Sequence, residues 1–220
     1  MFYAKYVKNL KPKLTSDPDG YPPFLLKKIV PTVSVQLSML YQSFRWVEKV
    51  PAGWKTAIIT PLFKKGASSD PSNYHPISLT RVFSKLTERV VVINLLNNLR
   101  CHNLISKQQH GFLSERSTAT NLLESLNDWS VSLENGTHQT VAYVDFAKAF
   151  DSVCHSKLVA KLRQYGIEGS LLEWIGDFLS DRSHRTRVGA ELSDVAAIFS
   201  GVVRGSCLGP VLFYVTGVVS

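Results

Sequence analysis

The segment Thr140-Val141-Ala142-Tyr143-Val144-Asp145-Phe146 constrains the fold more than any other stretch of the chain. Its apolar residues are continuous rather than alternating and include β-branched and aromatic types, so it reads as a mostly buried strand. Helical stripes lie on both sides of it. Leu122, Leu123, Leu126, Trp129 and Leu133 recur at helical spacing before it and stop at Asn135-Gly136, a pair suited to a helix C-terminus and turn. After it come Leu158, Val159, Leu162 and Tyr165 before Gly166, and then Leu171, Leu172, Ile175, Phe178 and Leu179, each set predicting a helix. Asp145 closes the strand. A carboxylate there stands out, and by itself it reads as a helix N-cap or a surface turn.

The remaining segments follow the same mixed pattern. Val33, Leu37, Leu40, Tyr41 and Phe44 recur at helical spacing after Pro31, which suits a first turn, and Pro51 closes that region. Trp54 to Phe63 reads as a strand entering a basic turn, Lys64-Lys65-Gly66, followed by a polar loop from Ala67 to Tyr74. Leu79, Val82, Phe83, Leu86, Val90, Ile93 and Leu96 form the longest helical stripe, with Ser78 placed as its N-cap. Arg182, Arg185 and Arg187 line a short basic segment that begins a β-hairpin. Gly201 to Pro210 is a glycine-rich turn leading into an apolar helix. The run Val211 to Ser220 reads as a core element whose packing partners are missing. No internal repeat is present.

With 220 residues, 45% of them hydrophobic, the chain can bury a substantial core, so disorder is a poor description of it. A net charge of +8 and a pI near 9.4 favour polyanionic partners. Cys101, Cys154 and Cys207 lie far apart with no CxxC spacing, which points to a reducing compartment rather than a disulfide framework. Cys101-His102 and Cys154-His155 allow a zinc site on composition, but neighbouring side chains point apart, and a buried Cys beside a surface His accounts for each pair. Met1 to Leu14 carries Lys5, Lys8, Lys11 and Lys13 without the continuous apolar run of a signal peptide. No segment approaches the roughly 20 apolar residues of a membrane span, so an intracellular location, cytoplasm or nucleus, and no membrane partner are expected.

Five segments in order carry a family likeness: WKTAIITPLFKKG, NYHPISL followed by FSKLTERV, QHGF with RST, YVDFAKAFDSVCH, and SGVVRGSCLGP. Together they resemble the reverse transcriptases of non-LTR, LINE-like retrotransposons, and DPDGYP at Asp17 to Pro22 resembles the lead-in before them. The resemblance implies an α/β (α+β) right-hand polymerase fold, with fingers and a partial palm whose antiparallel sheet is incomplete. It divides the chain into a helical lead-in, 1–50, and a reverse transcriptase domain, 51–220. The chemistry it implies is RNA-directed nucleotidyl transfer by two Mg2+ or Mn2+ ions about 4 Å apart. Its partners would be an RNA template, a DNA primer and a deoxynucleoside triphosphate; the oligomeric state is left open.

By the same resemblance, Asp145 matches the first catalytic and metal-binding carboxylate, and Phe146 would add a backbone carbonyl to the metal. Phe150 matches the aromatic beneath the sugar of the incoming nucleotide, selecting deoxy over ribo substrates; Asp151 is read as supporting structure or a cap. Lys64 and Lys65 match the basic turn that meets the triphosphate. His75 stands where the family pattern has arginine, which weakens a bidentate phosphate contact. Val203 and Arg204 replace the proline and glutamine of the glycine-rich segment, while Gly205 keeps the turn that approaches the base pair. Arginine cannot accept a hydrogen bond as glutamine does.

The family's aspartate doublet is absent, since Asp-Asp occurs nowhere in the chain and no carboxylate follows Pro210. One aspartate cannot hold two metals, so the chain is expected to be a truncated, catalytically inactive polymerase fragment. The alternatives are a non-catalytic nucleic-acid-binding module carried by Lys64, Lys65, Arg182, Arg185 and Arg187, or a relic without selected activity. Loss of the strands that pair with the Asp145 strand would leave an open sheet edge and poor solubility.

Overall fold

β1 (Thr56–Phe63) and β2 (Tyr74–Leu79) form an antiparallel hairpin in which Pro61 lies opposite Pro76. Neither proline has an N–H, so this must be a non-hydrogen-bonded pair whose N-side edges face away from each other. The outer side of Pro76 is the sheet edge, and the outer side of Pro61 lies beyond Ile59, where pairing with the next strand ends. The computed structural model describes residues 47–217 continuously, preceded by positions 18, 20–22, 28–29, 32–33, 35–39 and 42–43. Val33 and Leu37 are helical, as their spacing predicts; Leu40, Tyr41, Phe44 and most of the 1–50 lead-in lie outside the described residues.

Strand β1 follows a short 3-10 turn, Ala52–Lys55, that begins after Pro51. β3 (Arg182–Val188) lies parallel to β1. β4 (Glu191–Leu192) and β5 (Ala196–Ile198) both pair antiparallel with β3, giving a five-stranded sheet. The basic segment therefore does begin a hairpin, but the sheet is mixed rather than antiparallel. YHPISL is itself an edge strand, which corrects the placement of Ser78: Ser78 and Leu79 pair with Ile59 and Ile58. Helix α1 (Val82–Cys101) starts three residues later, after Arg81, without a side-chain cap.

α1, α2 (Thr118–Glu134), α3 (His155–Gln164), α4 (Gly169–Leu179) and α5 (Gly209–Gly217) follow the predicted stripes. The core is mainly helical. Leu95 and Leu99 of α1, Leu158 and Leu162 of α3, Ile175 and Phe178 of α4, and Leu212 and Val215 of α5 are all buried in one cluster. Full burial of such side chains stabilises by about 1.5–3 kcal/mol each before chain entropy is counted. The apolar run from Val211 is thus fully partnered through Val215, and 218–220 lie outside the described residues. At the far end of α4, the Asp177 carboxylate accepts from the Val50 amide at 2.7 Å and pairs with Lys49 and Lys55, fastening the approach to β1.

Two apolar segments are not in the core, one of them the expected buried strand. Helix α2 has no buried residue, and Leu122, Leu123, Leu126 and Leu133 of its stripe are exposed. Residues 140–146 form no strand: they carry no ladder bonds, and Tyr143 is 84% exposed. A strand apolar on both sides needs neighbours on both edges and covers on both faces. The described residues supply neither, so the segment stands in solvent. No helix among the described residues is long and apolar enough to cross a membrane.

Candidate functional site

The glycine-rich turn 201–209 is wedged between two other segments by backbone contacts that leave no room for side chains. Gly201 has φ +87°, and a Cβ there would lie 2.8 Å from Asp151 Cα. Its N–H donates to Val153 O, and the next amide, Val202, donates to Phe150 O, both at 2.8 Å. His155 Nε2 donates to the Gly201 carbonyl at 2.7 Å, and Ser200 Oγ donates to Asp151 O. On the other side, Gly205 has φ +90°, and a Cβ would lie 2.7 Å from Ser78 O of β2. Only glycine suits such a left-handed, close-packed position. The turn therefore joins the Phe150–Asp151 corner to the sheet.

A buried carboxylate holds the same turn from below. Glu88 of α1 is wholly buried; its Oε2 accepts from the amides of Cys207 at 2.7 Å and Leu208 at 3.2 Å, and its Oε1 accepts from Ser84 Oγ. These amides lie at the approach to α5, where unpaired N–H groups favour a negative partner. Gly209 N–H is taken by Ser206 Oγ at 2.7 Å. Nothing in the sequence reading singled out Glu88. The available signal was a charged residue between Leu86 and Val90 inside an apolar stripe, four residues after a serine that can reach it.

Arg182, expected on a basic surface, is only 3% exposed. It donates to Phe178 O and Trp54 O and lies over the Phe178 ring. Burial lowers its pKa to about 10, partly offset by the charge of Glu88, so it stays cationic at neutral pH. Arg185 Nε is held by Ser193 O, and Arg187 is exposed. Of the three arginines, only Arg187 is left on an open surface.

Arg204 and Asp151 form an ion pair, and both line a cavity of about 300 Å3 together with Ser78, Arg182, His184 and Val203. Phe150 is half-buried beside it, tilted onto Phe213 at 4.8 Å between centroids and edge-on to Phe112 at 6.4 Å. Phe150, Asp151, Arg204 and Gly205 are thus brought together. The other candidates are not. Lys64 and Lys65 are exposed at the tip of the β1–β2 hairpin. His75 alternates with Pro76 and Ser78 along β2, so it faces the opposite side of the sheet from the cavity. Asp145 and Phe146 are exposed on the unpaired stretch, and Asp145 makes no hydrogen bond or ion pair with a described residue.

The Cys-His pairs follow neither sequence reading closely. Cys101 and Cys154 are exposed rather than buried, and the rings of His102 and His155 are engaged by the carbonyls of Asn98 and Gly201. Among the described residues no three His, Cys, Asp or Glu side chains are grouped to hold a metal.

Residues 63–216 match the family described as reverse transcriptase (RNA-dependent DNA polymerase). The chain is 30% identical over 190 residues to the RNA-directed DNA polymerase from mobile element jockey of Drosophila melanogaster, covering 86% of this chain and 21% of that relative. It is 28% identical over 216 residues to the probable RNA-directed DNA polymerase from transposon BS of the same species, covering 95% and 23%. A third relative is the retrovirus-related Pol polyprotein from type-1 retrotransposable element R2 of Popillia japonica, 30% identical over 167 residues, covering 74% and 23%. The chain spans about a fifth of the length of these relatives.

Proposed function

The chain belongs to the reverse transcriptase (RNA-dependent DNA polymerase) family, and from that premise we propose that it is the part of a retrotransposon polymerase that receives the template, primer and incoming nucleotide. The observation that carries this reading is the seating of the glycine-rich turn against both the Phe150–Asp151 corner and β2. Such a junction offers a rigid backbone surface for a nascent base pair, with Phe150 beneath the sugar and Arg204 at its side. The exposed Lys64-Lys65 turn would meet the triphosphate. His75 lies on the other face of β2 from the cavity and has no part in this arrangement.

Divalent metals serve the family's chemistry, and Asp145 with the Phe146 carbonyl would be this chain's contribution to binding them. These groups do not fit a two-ion site by themselves. A hard cation needs several oxygen ligands, whereas Asp145 stands apart and Asp151 is taken by Arg204. The 220 residues are thus proposed to bind nucleic acid without completing nucleotidyl transfer.

Two measurements test this. Binding to an RNA–DNA hybrid is expected at low salt and should weaken steeply as salt rises; no binding at low salt sinks the proposal. Primer extension on a homopolymer template with magnesium or manganese is expected to give no product. Incorporation that disappears in Asp145→Ala would show that the site is complete.

A further inference from the structure

Phe112 has φ +60°, a left-handed conformation that is a genuine outlier for a bulky side chain, yet it is 60% exposed. Burial of its ring therefore does not account for the strain. The segment around it is cross-braced instead. Gln109 Nε2 donates to Gly111 O at 2.9 Å, and Arg116 donates to Lys107 O and Gln109 O. His110 is buried and bridges Thr120 Oγ1 and Glu124 Oε2 of α2 at 2.9 and 3.0 Å. Arg100 donates to Ser114 Oγ, and the Ser106 amide donates to the Tyr214 hydroxyl of α5. Strained conformations persist where surroundings over-determine them, and they cluster at active sites, ligand clamps and switch regions.

The Phe112 ring is edge-on to Phe150, which lies on Phe213, so an open aromatic continues a partly buried aromatic cluster into solvent. We propose that Phe112 is a nucleobase-stacking residue, held by its braced, left-handed backbone where it extends the Phe150 platform toward bound nucleic acid. The ligand is a planar base of a template or primer strand, because a flat, uncharged, exposed ring recognises a π-face and offers no hydrogen bond. This inference rests on the nucleic-acid-binding reading given above.

The test uses the whole 220-residue chain and an RNA–DNA hybrid with a recessed primer end carrying 2-aminopurine. Phe112→Gly removes the ring and relieves the backbone, so its thermal midpoint is expected to equal or exceed the parent's. Its affinity for the hybrid is expected to fall about tenfold, with loss of 2-aminopurine quenching. Phe112→Trp keeps a stacking face and is expected to retain both affinity and quenching. Hybrid binding by Phe112→Gly as tight as the parent's overturns the inference while leaving the nucleic-acid reading intact. A parent chain that binds no hybrid at low salt overturns both.

Discussion

Arg204 Nη2 donates to Asp151 Oδ2 across 2.5 Å, so the glycine-rich turn and the Phe150–Asp151 corner are joined by opposite charges as well as by backbone bonds. The pair is partly open to water, with the arginine side chain 22% and the aspartate 50% exposed. A double-mutant cycle with Arg204→Gln and Asp151→Asn is expected to give a coupling of about 0.5 kcal/mol that shrinks with added salt. Urea unfolding of the four proteins measures it. A coupling several times larger would mean that the carboxylate is far less solvated than its exposure indicates.

Glu88 is the opposite case, because its carboxylate has no access to water. Glu88→Ala strands the amides of Cys207 and Leu208 and removes the charge that offsets Arg182. The expected loss is about 3 kcal/mol of unfolding free energy. Glu88→Gln keeps a carbonyl acceptor and should lose less. Chemical denaturation distinguishes the two, and equal losses would show that charge rather than hydrogen bonding matters there.

Asp177 predicts the acid side of the stability profile. Burial acts to raise its pKa but is outweighed by the Val50 amide and by Lys55 and Lys49, so the carboxyl sits below its ordinary value. A depressed folded pKa means stabilisation that is fully present above about pH 4, the unfolded value, and is lost as pH falls through the folded one. Asp177→Asn is expected to lower the unfolding midpoint at pH 7 and to flatten its fall as the pH drops below about 4. A mutant and parent with parallel acid limbs would exclude this source.

The three thiols should separate by reactivity. The Ser156 hydroxyl and the Lys157 amide draw the exposed Cys154 thiol downward, whereas burial and then the Glu88 charge push Cys207 upward. Labelling of the native chain at neutral pH is expected at Cys154 and Cys101, with Cys207 reacting only after unfolding. Mass spectrometry of peptides reads the order directly.

Tyr143, Val144 and Phe146 stand exposed on backbone that has no ladder partner, next to the bare leucines of α2. Such a stretch recruits other strands. Val144→Lys is expected to raise the soluble, monodisperse fraction in size-exclusion chromatography. A parent chain that is already monomeric and unfolds cooperatively would contradict this expectation.

Helices were legible because their information is local. The stripes through Leu86 and Val90, Leu158 and Leu162, and Ile175 and Phe178 need only a 3.6-residue period to be recognised. The glycine-rich turn was legible for a related reason, since Gly201 and Gly205 occupy backbone conformations that other residues avoid. YHPISL was missed as a strand because Pro76 argues against one; only the knowledge that it is an edge, opposite Pro61, removes the objection. Glu88 was missed because a buried charge is explained by its partners, and Cys207 lies 119 residues away. The run at Val141 to Phe146 carries the pattern of a covered strand, but composition cannot supply the neighbours that would cover it.

The parallel pairing of β1 with β3 has a kinetic consequence. Thr56 and Ser183, neighbours across that ladder, are separated by 127 residues in sequence, whereas α3, α4 and the turn between them are contiguous. Closing so long a loop forfeits chain entropy before any contact rewards it. The α3–α4 pair is therefore expected to form first and the sheet to zip last. During that interval, the hairpin edge and the uncovered 140–146 stretch are both available to other chains, and the ribosome-to-native journey is where this protein is most vulnerable.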